Sequence, residues 1–450
     1  MTLREYQKRP TAKVIDYFNS KATMPKLAIF PTGWGKSHLI AHVIKEIGKP
    51  FLIIQPSKEL LEQNIEKYRN LGEEATIYSA SLDSKKASTV TFATIGSIKG
   101  KADVFIDLGV KNVIIDEADK FPTKGGMLNT FLAQLGAEKV LGITATPLKL
   151  LDNSGKGQKK IKIIINQSKR YRLYDDIIHV SQVQELVEGG YWSPLVYQTE
   201  ESDTSFLEFN TVGTDYTEIS MREFYDRNNL RGQVMEAMEK LTDRKSFLIF
   251  VPSIEEALAL ESALPECKAI VSGMKKSLRT KYVKDYKEGK IRGLISINAL
   301  AVGFDHPGID CIICARPTAS ISWYIQALGR GVRIKEDKKD CLIVDFTKNY
   351  DKFGKIEEMF YSKNSTWELY GKGNKKLSNY NPKISYGTVT TPQEEKLRKN
   401  NIMPFGRFQG LRVKNLPYKY IQFLVESNIK IYDASLRAEI LLRYEQIKYY

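Results

Sequence analysis

Short apolar runs rich in β-branched residues alternate with segments of helical period along the first third of the chain. The runs are KLAIF, FLIIQ, TVTFA, NVIID and KVLGITATP, and helix-period segments directly follow the first two of them. Apolar runs of this length that alternate with helices are typical of βαβ units whose parallel sheet is buried on both faces. The pattern predicts an α/β domain over residues 1–150.

A polar, glycine-containing stretch, LDNSGKGQKK, interrupts the alternation after Pro147. Stretches of this composition favour loops and domain boundaries. The alternation then resumes with SFLIFVPS, AIVSG, GLISINA, CIICARP and CLIVDF. We therefore expect a connector over residues 151–195 and a second α/β domain over residues 196–350.

The last part of the chain differs in composition from both predicted domains. Residues 361–450 contain 16 Lys+Arg, 7 Asp+Glu and 10 of the 24 tyrosines. Basic residues interleaved with aromatic ones suit contact with nucleic acid, although a small solvated domain that is merely basic has the same composition. Residues 351–450 are accordingly predicted to form a basic, aromatic-rich accessory region.

The bulk composition narrows the class of protein. A chain of 450 residues is too long for one core, and its net charge of +15 favours polyanions, acidic partners or a membrane surface. No apolar run reaches the roughly 18 residues of a membrane span, and the N-terminal MTLREYQKRPTAKV has no apolar stretch of the signal-peptide type. These features predict a cytoplasmic protein without a membrane partner.

Cysteines and histidines occur at two spacings that metal sites also use. Cys311 and Cys314 lie in CIIC, but no second cysteine pair has zinc-ribbon spacing, so buried thiols in a strand are the favoured interpretation. His38 and His42 stand four residues apart in HLIAH, yet the segment lacks the glutamate of a zincin. We expect packing histidines here rather than a zinc site.

The segment FPTGWGKS follows a predicted strand and opens a predicted helix, which is the context of a phosphate-binding loop. Gly33 and Gly35 let backbone N–H groups turn toward phosphates. Lys36 can reach the β- and γ-phosphate oxygens, and Ser37 can ligate Mg²⁺. Phe30 stands where the strict pattern has a glycine.

Two carboxylates, Asp116 and Glu117, end the apolar run in VIIDEADKF. A P-loop NTPase needs a second strand that ends in a carboxylate to hold the Mg²⁺ shell, and Asp116 supplies it. Glu117 then lies where a base could orient the attacking water. A lone DE is commonly only the polar end of a strand, but the preceding phosphate loop favours the catalytic interpretation.

Taken in order, the motifs of residues 1–350 resemble those of the superfamily 2 helicases and translocases. In the first half, LREYQ resembles the adenine-recognition motif, PTGWGKS motif I, PSKELLEQ motif Ia, TIGS motif Ib, DEAD motif II and TAT motif III. In the second half, FLIFVPS resembles motif IV, INALAVGFDHP motif V and QALGRGVR motif VI. The resemblance implies an α/β fold of two RecA-like parallel-sheet domains in tandem, with a small basic C-terminal extension.

The resemblance also implies ATP and Mg²⁺ as cofactors, and each RecA-like domain would supply half of the nucleotide site. It assigns catalysis to Lys36, Asp116, Glu117, Gln326, Arg330 and Arg333, the two arginines as arginine-finger candidates. It assigns nucleotide binding to Arg4, Gln7, Thr32, Gly33, Trp34, Gly35, Lys36, Ser37, Gly303 and Asp305. Gln7 would read the edge of the base, and Ser37 and Asp116 would bind the metal. Contact with nucleic acid, or coupling to it, falls to Pro56, Ser57, Lys58, Thr94, Thr144, Thr146 and Ser253.

Motifs V and VI indicate which branch of the family the chain resembles. DEAD-box RNA helicases have HRxGRxxR and ARGID, whereas this chain reads YIQALGRGVR and AVGFDHP. These variants resemble DNA-directed relatives, namely restriction-type translocases, repair helicases and phage-encoded branch-migration helicases. LVEGGYWSPLVY also resembles the connector before the second domain of those proteins. We therefore expect DNA rather than RNA, despite the literal DEAD.

A second, shorter resemblance lies near the C-terminus. IMPFGRFQGLRVKNLPYKYIQFL is similar to a module found at the ends of some exonucleases and other DNA-related proteins. The stretch has no catalytic constellation, so we interpret it as an accessory element that helps to grip DNA or to sense its structure.

The sequence thus predicts an ATP-dependent DNA helicase or translocase acting on branched or duplex DNA. Fork or junction remodelling and branch migration in replication, recombination or repair are the expected roles. We expect a monomer that is nucleoid-associated, or in the host cytoplasm if phage-encoded, with recombination or replication proteins as partners. Two alternatives stay open: a DEAD-box-like RNA helicase, and a non-catalytic nucleic-acid-binding protein on an ATPase fold.

Overall fold

The computed structural model describes residues 2–122, 125–152, 159–166, 172–297, 304–379, 413, 416–426, 440–441 and 443–444. The chain divides into two compact units, residues 1–380 and 381–450. The predicted accessory region, residues 351–450, therefore contributes to both units.

The described strands of the first half alternate with helices, as the apolar pattern predicts. The strands are β1 (Lys26–Ile29), β2 (Phe51–Gln55), β3 (Thr76–Ser79), β4 (Ser84–Lys85), β5 (Val90–Thr94), β6 (Asn112–Asp116), β7 (Lys139–Thr144), β8 (Leu148–Asp152), β9 (Lys159–Ile163) and β10 (Asp176–Val180). The helices are α1 (Glu5–Asn19), α2 (Lys36–Ile47), α3 (Lys58–Arg69), α4 (Ile95–Ile98), α5 (Ala102–Ile106), α6 (Gly126–Leu135) and α7 (Val183–Glu188).

Most of these strands form one sheet in the order β10-β1-β7-β6-β2-β5-β3-β4. All described neighbours in it pair in parallel except β3 and β4. Every residue of β2, β6 and β7 is buried, which explains why these strands read as continuous apolar runs. Because the carboxyl ends of parallel strands share one edge, the loops after β1, β6 and β7 meet there.

The second half repeats this plan. Its described strands are β11 (Leu195–Thr199), β12 (Phe247–Phe250), β13 (Cys267–Ile270), β14 (Gly293–Ser296), β15 (Cys311–Cys314), β16 (Cys341–Asp345), β17 (Phe360–Lys363) and β18 (Trp367–Tyr370). Its helices are α8 (Glu218–Arg227), α9 (Leu230–Lys240), α10 (Ile254–Ala263), α11 (Lys276–Lys287), α12 (Ile321–Leu328) and α13 (Asn349–Phe353).

The second sheet has the order β11-β16-β15-β12-β14-β13, and its described pairs are all parallel. Its inner strands pack with α8, α9 and α10 into one buried apolar cluster. Two parallel sheets in one chain confirm the predicted α/β fold with tandem RecA-like domains.

The predicted connector, residues 151–195, contains an edge strand of the first sheet and leads into the second sheet. β10 pairs with β1 at the edge of the first sheet, and the chain then passes through α7 to β11 of the second. Two antiparallel hairpins, β8–β9 and β17–β18, stand outside the parallel sheets.

The second unit, residues 381–450, is described only around helix α14 (Tyr418–Glu426). Its buried side chains form a small apolar cluster. The members are Val413, Leu416, Ile421, Leu424 and Ile440. Most of the exonuclease-tail resemblance, which begins at Ile402, lies outside the described residues.

Candidate nucleotide and nucleic-acid site

The phosphate-loop candidate lies between β1 and α2, at the carboxyl edge of the first sheet. Gly33 and Gly35 both have positive φ, 75° and 92°, so the loop uses left-handed turns that glycine adopts without strain. A Cβ at Gly35 would lie 2.5 Å from Nε2 of Gln7, so this position also needs a small residue. Phe30 extends β1 by donating its N–H to Thr144 O at 3.0 Å, a strand position that does not require glycine.

Lys36 begins helix α2 and reaches across to the end of β6. Its Nζ lies 3.1 Å from Oε1 of Glu117, and both side chains are mostly buried. Glu117 has φ 48° and ψ 53°, a left-handed conformation that is uncommon outside glycine and often marks a functional residue. Oε2 of Glu117 has no hydrogen-bond partner among the described residues.

Asp116, the last residue of β6, is held by two donors. Asn64 Nδ2 donates to its Oδ2 at 2.8 Å, and the N–H of Glu117 donates to its Oδ1 at 3.0 Å. Burial, with the neighbouring Glu117 carboxylate, raises the pKa of Asp116 to about 6. A bound cation would favour the charged form of this carboxylate.

The pKa values of Lys36 and Glu117 follow from their ion pair. Burial alone would lower the pKa of Lys36, but the carboxylates of Glu117 and Asp116 outweigh it and raise that pKa. Burial alone would raise the pKa of Glu117, but the Lys36 ammonium outweighs it and lowers that pKa. Both groups are therefore charged at neutral pH.

Arginines of the second domain line the same cleft. Arg330 follows α12, and its Nη1 donates to Phe304 O at 2.9 Å. Arg333 forms an ion pair with Asp305, Nε to Oδ1, at 2.8 Å. Nε of Arg330 and Nη1 of Arg333 are buried without partners among the described residues, and burial lowers the pKa of Arg330 to about 10. These donors suit an anion in the cleft.

A chain of hydrogen bonds joins the two domains next to the cleft. Thr144 Oγ1 donates to Asp119 Oδ1 at 2.5 Å and accepts from the N–H of Thr146 at 3.1 Å. Gln326 Nε2 of α12 donates to Thr146 Oγ1 at 3.0 Å. The candidate motifs II, III and VI are thus connected through four residues, by way of the backbone N–H of Thr146.

Aromatic side chains also line the cleft. Gln7 donates from Nε2 to Trp34 O at 2.9 Å and accepts from the N–H of Arg4 at 2.9 Å. The ring of Tyr6 lies 4.3 Å from that of Tyr191, centroid to centroid, and Tyr6 OH donates to Trp34 O at 2.8 Å. Gln7 therefore fixes the phosphate loop, and the two tyrosines offer flat surfaces on which a base could stack.

The cleft between these groups has a volume of about 650 Å³, which lies in the range of about 300–1,000 Å³ typical of small-molecule sites. Its lining includes Thr32, Ser37, Asp305, Tyr6, Gln7, Lys36, Asp116, Glu117, Tyr191, Gln326, Arg330 and Arg333. The Ser37 hydroxyl and the Asp116 carboxylate are oxygen donors of the kind that Mg²⁺ prefers. The orphaned Oε2 of Glu117 and the raised pKa of Asp116 also suit a cation nearby.

The residues proposed to contact nucleic acid begin helices or end strands. Ser57 caps α3, accepting from the N–H of Leu60 at 3.4 Å, with Pro56 and Lys58 on either side. Ser253 caps α10 and is only 1% exposed. Thr94, at the end of β5, hydrogen-bonds Ser97 and Ser79 through its hydroxyl. Contact at Ser253 would thus involve the backbone at the start of α10. Gly303, a predicted nucleotide-binding residue, lies outside the described residues.

The predicted metal-spaced residues have other partners. His42 Nδ1 lies 2.8 Å from the backbone oxygen of His38, which is a packing contact of one helix turn. The four cysteines are buried and free, in β13, β15 and β16. Among the described residues no helix is both long and apolar enough to cross a membrane.

Four residues of the site were not predicted from the sequence. Asn64 binds Asp116, Asp119 receives Thr144, and Tyr6 and Tyr191 face each other in the cleft. Asp119 and Tyr6 lie inside the DEAD and LREYQ motifs, so their position was the available signal. Tyr191 lies in LVEGGYWSPLVY, which is assigned to the connector rather than to the nucleotide site, and Asn64 lies just beyond PSKELLEQ; only the tertiary fold brings both to the site.

Two family models match this chain in the regions that form the cleft. The model of the type III restriction enzyme, res subunit, matches residues 1–149. The helicase conserved C-terminal domain matches residues 232–335. The first range contains the phosphate loop and the Asp116–Glu117 pair, and the second contains Arg330 and Arg333.

Similar proteins include a candidate mitochondrial ATP-dependent helicase, irc3, of Schizosaccharomyces pombe, 26% identical over 89% of this chain and 67% of its own length. A 51.5 kDa protein of a Lactococcus phage is 24% identical over 72% of this chain and 66% of its own length. A solved fragment of a candidate HsdR subunit of a type I restriction enzyme from Vibrio vulnificus YJ016 has the same fold. Its TM-score is 0.56 at 18% identity, over 78% of this chain and 65% of that one.

The chain thus spans about two thirds of the length of each of these proteins. With both family models on the two halves of one cleft, the chain belongs to superfamily 2 of the helicases, a group of ATP-hydrolysing enzymes.

Proposed function

We propose that this protein is an ATP-dependent DNA helicase or translocase that acts on branched or duplex DNA. The observation that carries the proposal is the composition of the cleft. Lys36, Asp116 and Glu117 enter it from the first domain, and Arg330 and Arg333 enter it from the second. A motor needs this division, because nucleotide binding and hydrolysis then change how the two domains meet.

ATP would lie with its base toward Tyr6 and Tyr191 and its phosphates over the loop between β1 and α2. The γ-phosphate would replace Glu117 as the partner of Lys36, which frees Glu117 to orient water. Water attacks the γ-phosphorus, the bond to the β-phosphate oxygen breaks, and ADP and phosphate leave. Mg²⁺, held by Asp116 and Ser37, would supply charge neutralisation at the phosphates.

The guanidinium groups of Arg330 and Arg333 would stabilise the charge that develops during this transfer. Arginine donors in a dry cleft are worth more than in water because little solvent competes with them. Both side chains are partly buried, and each retains one buried nitrogen without a partner among the described residues, which leaves donors for phosphate oxygens.

DNA is the favoured nucleic acid for two reasons. AVGFDHP and QALGRGVR resemble the motifs of DNA-directed relatives, and the matching res-subunit family is named for a restriction enzyme. The net charge of +15 suits a phosphate backbone in either case. Fork or junction remodelling and branch migration, in replication, recombination or repair, are the finer roles that we propose.

The test is the ATPase rate without nucleic acid and with single-stranded DNA, linear duplex, a fork, a four-way junction and RNA. Lys36→Ala serves as the inactive control. Strong stimulation by forks or junctions supports the proposal. Stimulation by RNA alone would favour the RNA helicase alternative. An ATPase rate that no nucleic acid changes would contradict a motor function.

A further inference from the structure

The chain after the second sheet returns to the first domain. Residues 354–379, here named the strap, comprise a 3₁₀ turn (Ile356–Glu358), the β17–β18 hairpin and the segment after it. Its first residue, Gly354, has φ 77° and ψ −168°, a conformation essentially restricted to glycine. The chain therefore leaves α13 in one defined direction.

One end of the strap is anchored on the helix that carries the motif VI candidate. Tyr324 of α12 donates its hydroxyl to Gly354 O at 2.9 Å, and its ring packs 5.1 Å from that of Phe353. Tyr324 is two residues from Gln326, which binds Thr146. A shift of α12 would thus displace the start of the strap.

The middle of the strap is anchored on the connector, at the start of α7. The amide of Gln182 pairs with the backbone of Tyr361 twice, accepting from its N–H at 3.0 Å and donating to its O at 2.7 Å. Gln184 Nε2 lies within 3.4 Å of the backbone oxygens of Glu357 and Met359. These contacts fix the strap beside α7 and position the side chain of Tyr361.

The hydroxyl of Tyr361 reaches the back of the nucleotide cleft. It donates to Ala145 O at 3.2 Å, and Ala145 lies between Thr144 and Thr146 and lines the cleft. Burial raises the pKa of Tyr361, so the hydroxyl keeps its proton and remains a donor. The segment 144–146 is thus bound by two side chains, Gln326 at Thr146 Oγ1 and Tyr361 at Ala145 O.

We propose that Tyr361 is a positioning residue that couples the nucleic-acid-bound arrangement of the two domains to ATP turnover. The strap joins α12 to the segment 144–146 by a route separate from the Gln326–Thr146 hydrogen bond. When the domains close, both connections must be satisfied together, which favours one arrangement of that segment. The inference rests on the proposed function, because it concerns the stimulation of turnover by nucleic acid.

The variant Tyr361→Phe removes only the hydroxyl that binds Ala145 O. The control is Tyr17→Phe, because the Tyr17 hydroxyl lies within hydrogen-bond distance of Val140 O (3.0 Å), Val140 N (3.1 Å) and Met24 O (3.1 Å) at the other end of β7. Each variant removes one hydroxyl from the β7 region, but only one of the two hydroxyls adjoins the cleft. Nucleic-acid stimulation of the ATPase rate should fall about three- to tenfold in Tyr361→Phe, the size expected for one hydrogen bond, and should stay unchanged in Tyr17→Phe.

Tyr324→Phe, which releases the other anchor, should also reduce the stimulation, with the thermal midpoint of each variant as a folding control. If nucleic acid stimulates the wild type and Tyr361→Phe equally, this inference is wrong but the proposed function stands. Equal losses in Tyr361→Phe and Tyr17→Phe would also overturn it, because they would indicate general destabilisation. A wild-type protein that no nucleic acid stimulates would instead contradict the proposed function.

Discussion

The ammonium of Lys36 lies 3.1 Å from the carboxylate of Glu117, so the phosphate-binding cation and the candidate base neutralise each other. The pair satisfies two mostly buried charges that would otherwise be costly. It also means that nucleotide binding must exchange one anion for another at Lys36. Binding and activation of Glu117 are therefore linked events.

Glu117→Gln should separate binding from hydrolysis. The substitution removes a competitor for Lys36, so ATP affinity should be kept or increased. The turnover number should fall about 10²- to 10⁴-fold, the usual contribution of a general base. Lys36→Ala should lose affinity as well as turnover, as measured by equilibrium nucleotide binding and by phosphate release.

The control pair for these variants is Lys111 and Glu138. They form an exposed ion pair at 3.5 Å in the same domain. Lys111→Ala and Glu138→Gln should change neither quantity, because exposed ion pairs contribute little. Normal turnover in Glu117→Gln would show that another group orients the water.

Arg330→Ala should reduce turnover far more than ATP binding. A guanidinium that acts on the developing charge of phosphoryl transfer is worth about 10³- to 10⁵-fold in rate. Arg227→Ala, on the surface of α8 and paired with Glu223, is the matched control. Losses of equal size in the turnover number and in affinity would assign Arg330 to ground-state binding.

Asp116→Asn should stabilise the nucleotide-free protein while abolishing metal-dependent turnover. Burial raises the pKa of Asp116 to about 6, so the folded state binds a proton that the unfolded state releases near pH 4. Its protonated form contributes stability that is complete below about pH 4 and is lost as the pH rises through about 6. The variant's thermal midpoint should therefore exceed the wild type's at pH 8 and approach it at pH 4.

The hydrogen bonds around position 116 allow this variant. The N–H of Glu117 can still donate to the asparagine oxygen, and Asn64 can turn so that its oxygen, which lacks a described partner, accepts from the new amide. A variant less stable than the wild type at pH 8 would show that the Asp116 charge is already compensated. Matched titrations of both proteins from pH 4 to 8 give the comparison.

How much the sequence could predict depends on how far apart the cooperating residues lie. The phosphate loop needs only its own glycines and the start of α2, so its position follows from local pattern. Asp116 and Glu117 follow from one apolar strand that ends in carboxylates. The pairing of Arg330 with this cleft came from the family resemblance, because no local rule joins residues about 200 positions apart.

The contacts that were not predicted share one property. Tyr191 meets Tyr6, and Tyr361 meets Ala145, only because the chain crosses between sheets or returns to the first one. Hydrophobic periodicity indicates which face of a helix or strand is buried, but it does not indicate which other element that face packs against. Ser57 and Ser253, which the family resemblance assigns to nucleic acid, cap α3 and α10, and a cap of this kind depends on local residues only.

Tyr191→Ala should weaken ATP binding through the base alone. Tyr191 lies against Tyr6, with the guanidinium of Arg4 5.7 Å from its ring centroid. Stacking of a base on an aromatic ring is worth about 1–3 kcal/mol, which corresponds to about a 5- to 150-fold change in affinity. The KM for ATP should rise by that factor, whereas inhibition by tripolyphosphate, which has no base, should be unaltered.

Tyr191→Phe keeps the ring and should restore the KM of the wild type. If Tyr191→Ala weakens ATP and tripolyphosphate equally, the residue supports the phosphate loop rather than the base. The comparison is clean because Tyr191 makes no described hydrogen bond to that loop, whereas Tyr6 does.

Removal of residues 381–450 should weaken DNA binding more than it changes the ATPase rate without DNA. These residues form a separate compact unit and contain 12 Lys+Arg against 6 Asp+Glu. If their cations bind phosphates, the plot of log affinity against log salt should become shallower by about 0.9 for each phosphate that they neutralise on duplex DNA. The measurement is DNA affinity of both chains at several salt concentrations, with basal ATPase as the folding control. An unchanged affinity and slope would contradict a DNA-gripping role for this unit, whereas a weaker affinity with an unchanged slope would assign its contribution to uncharged interactions such as stacking.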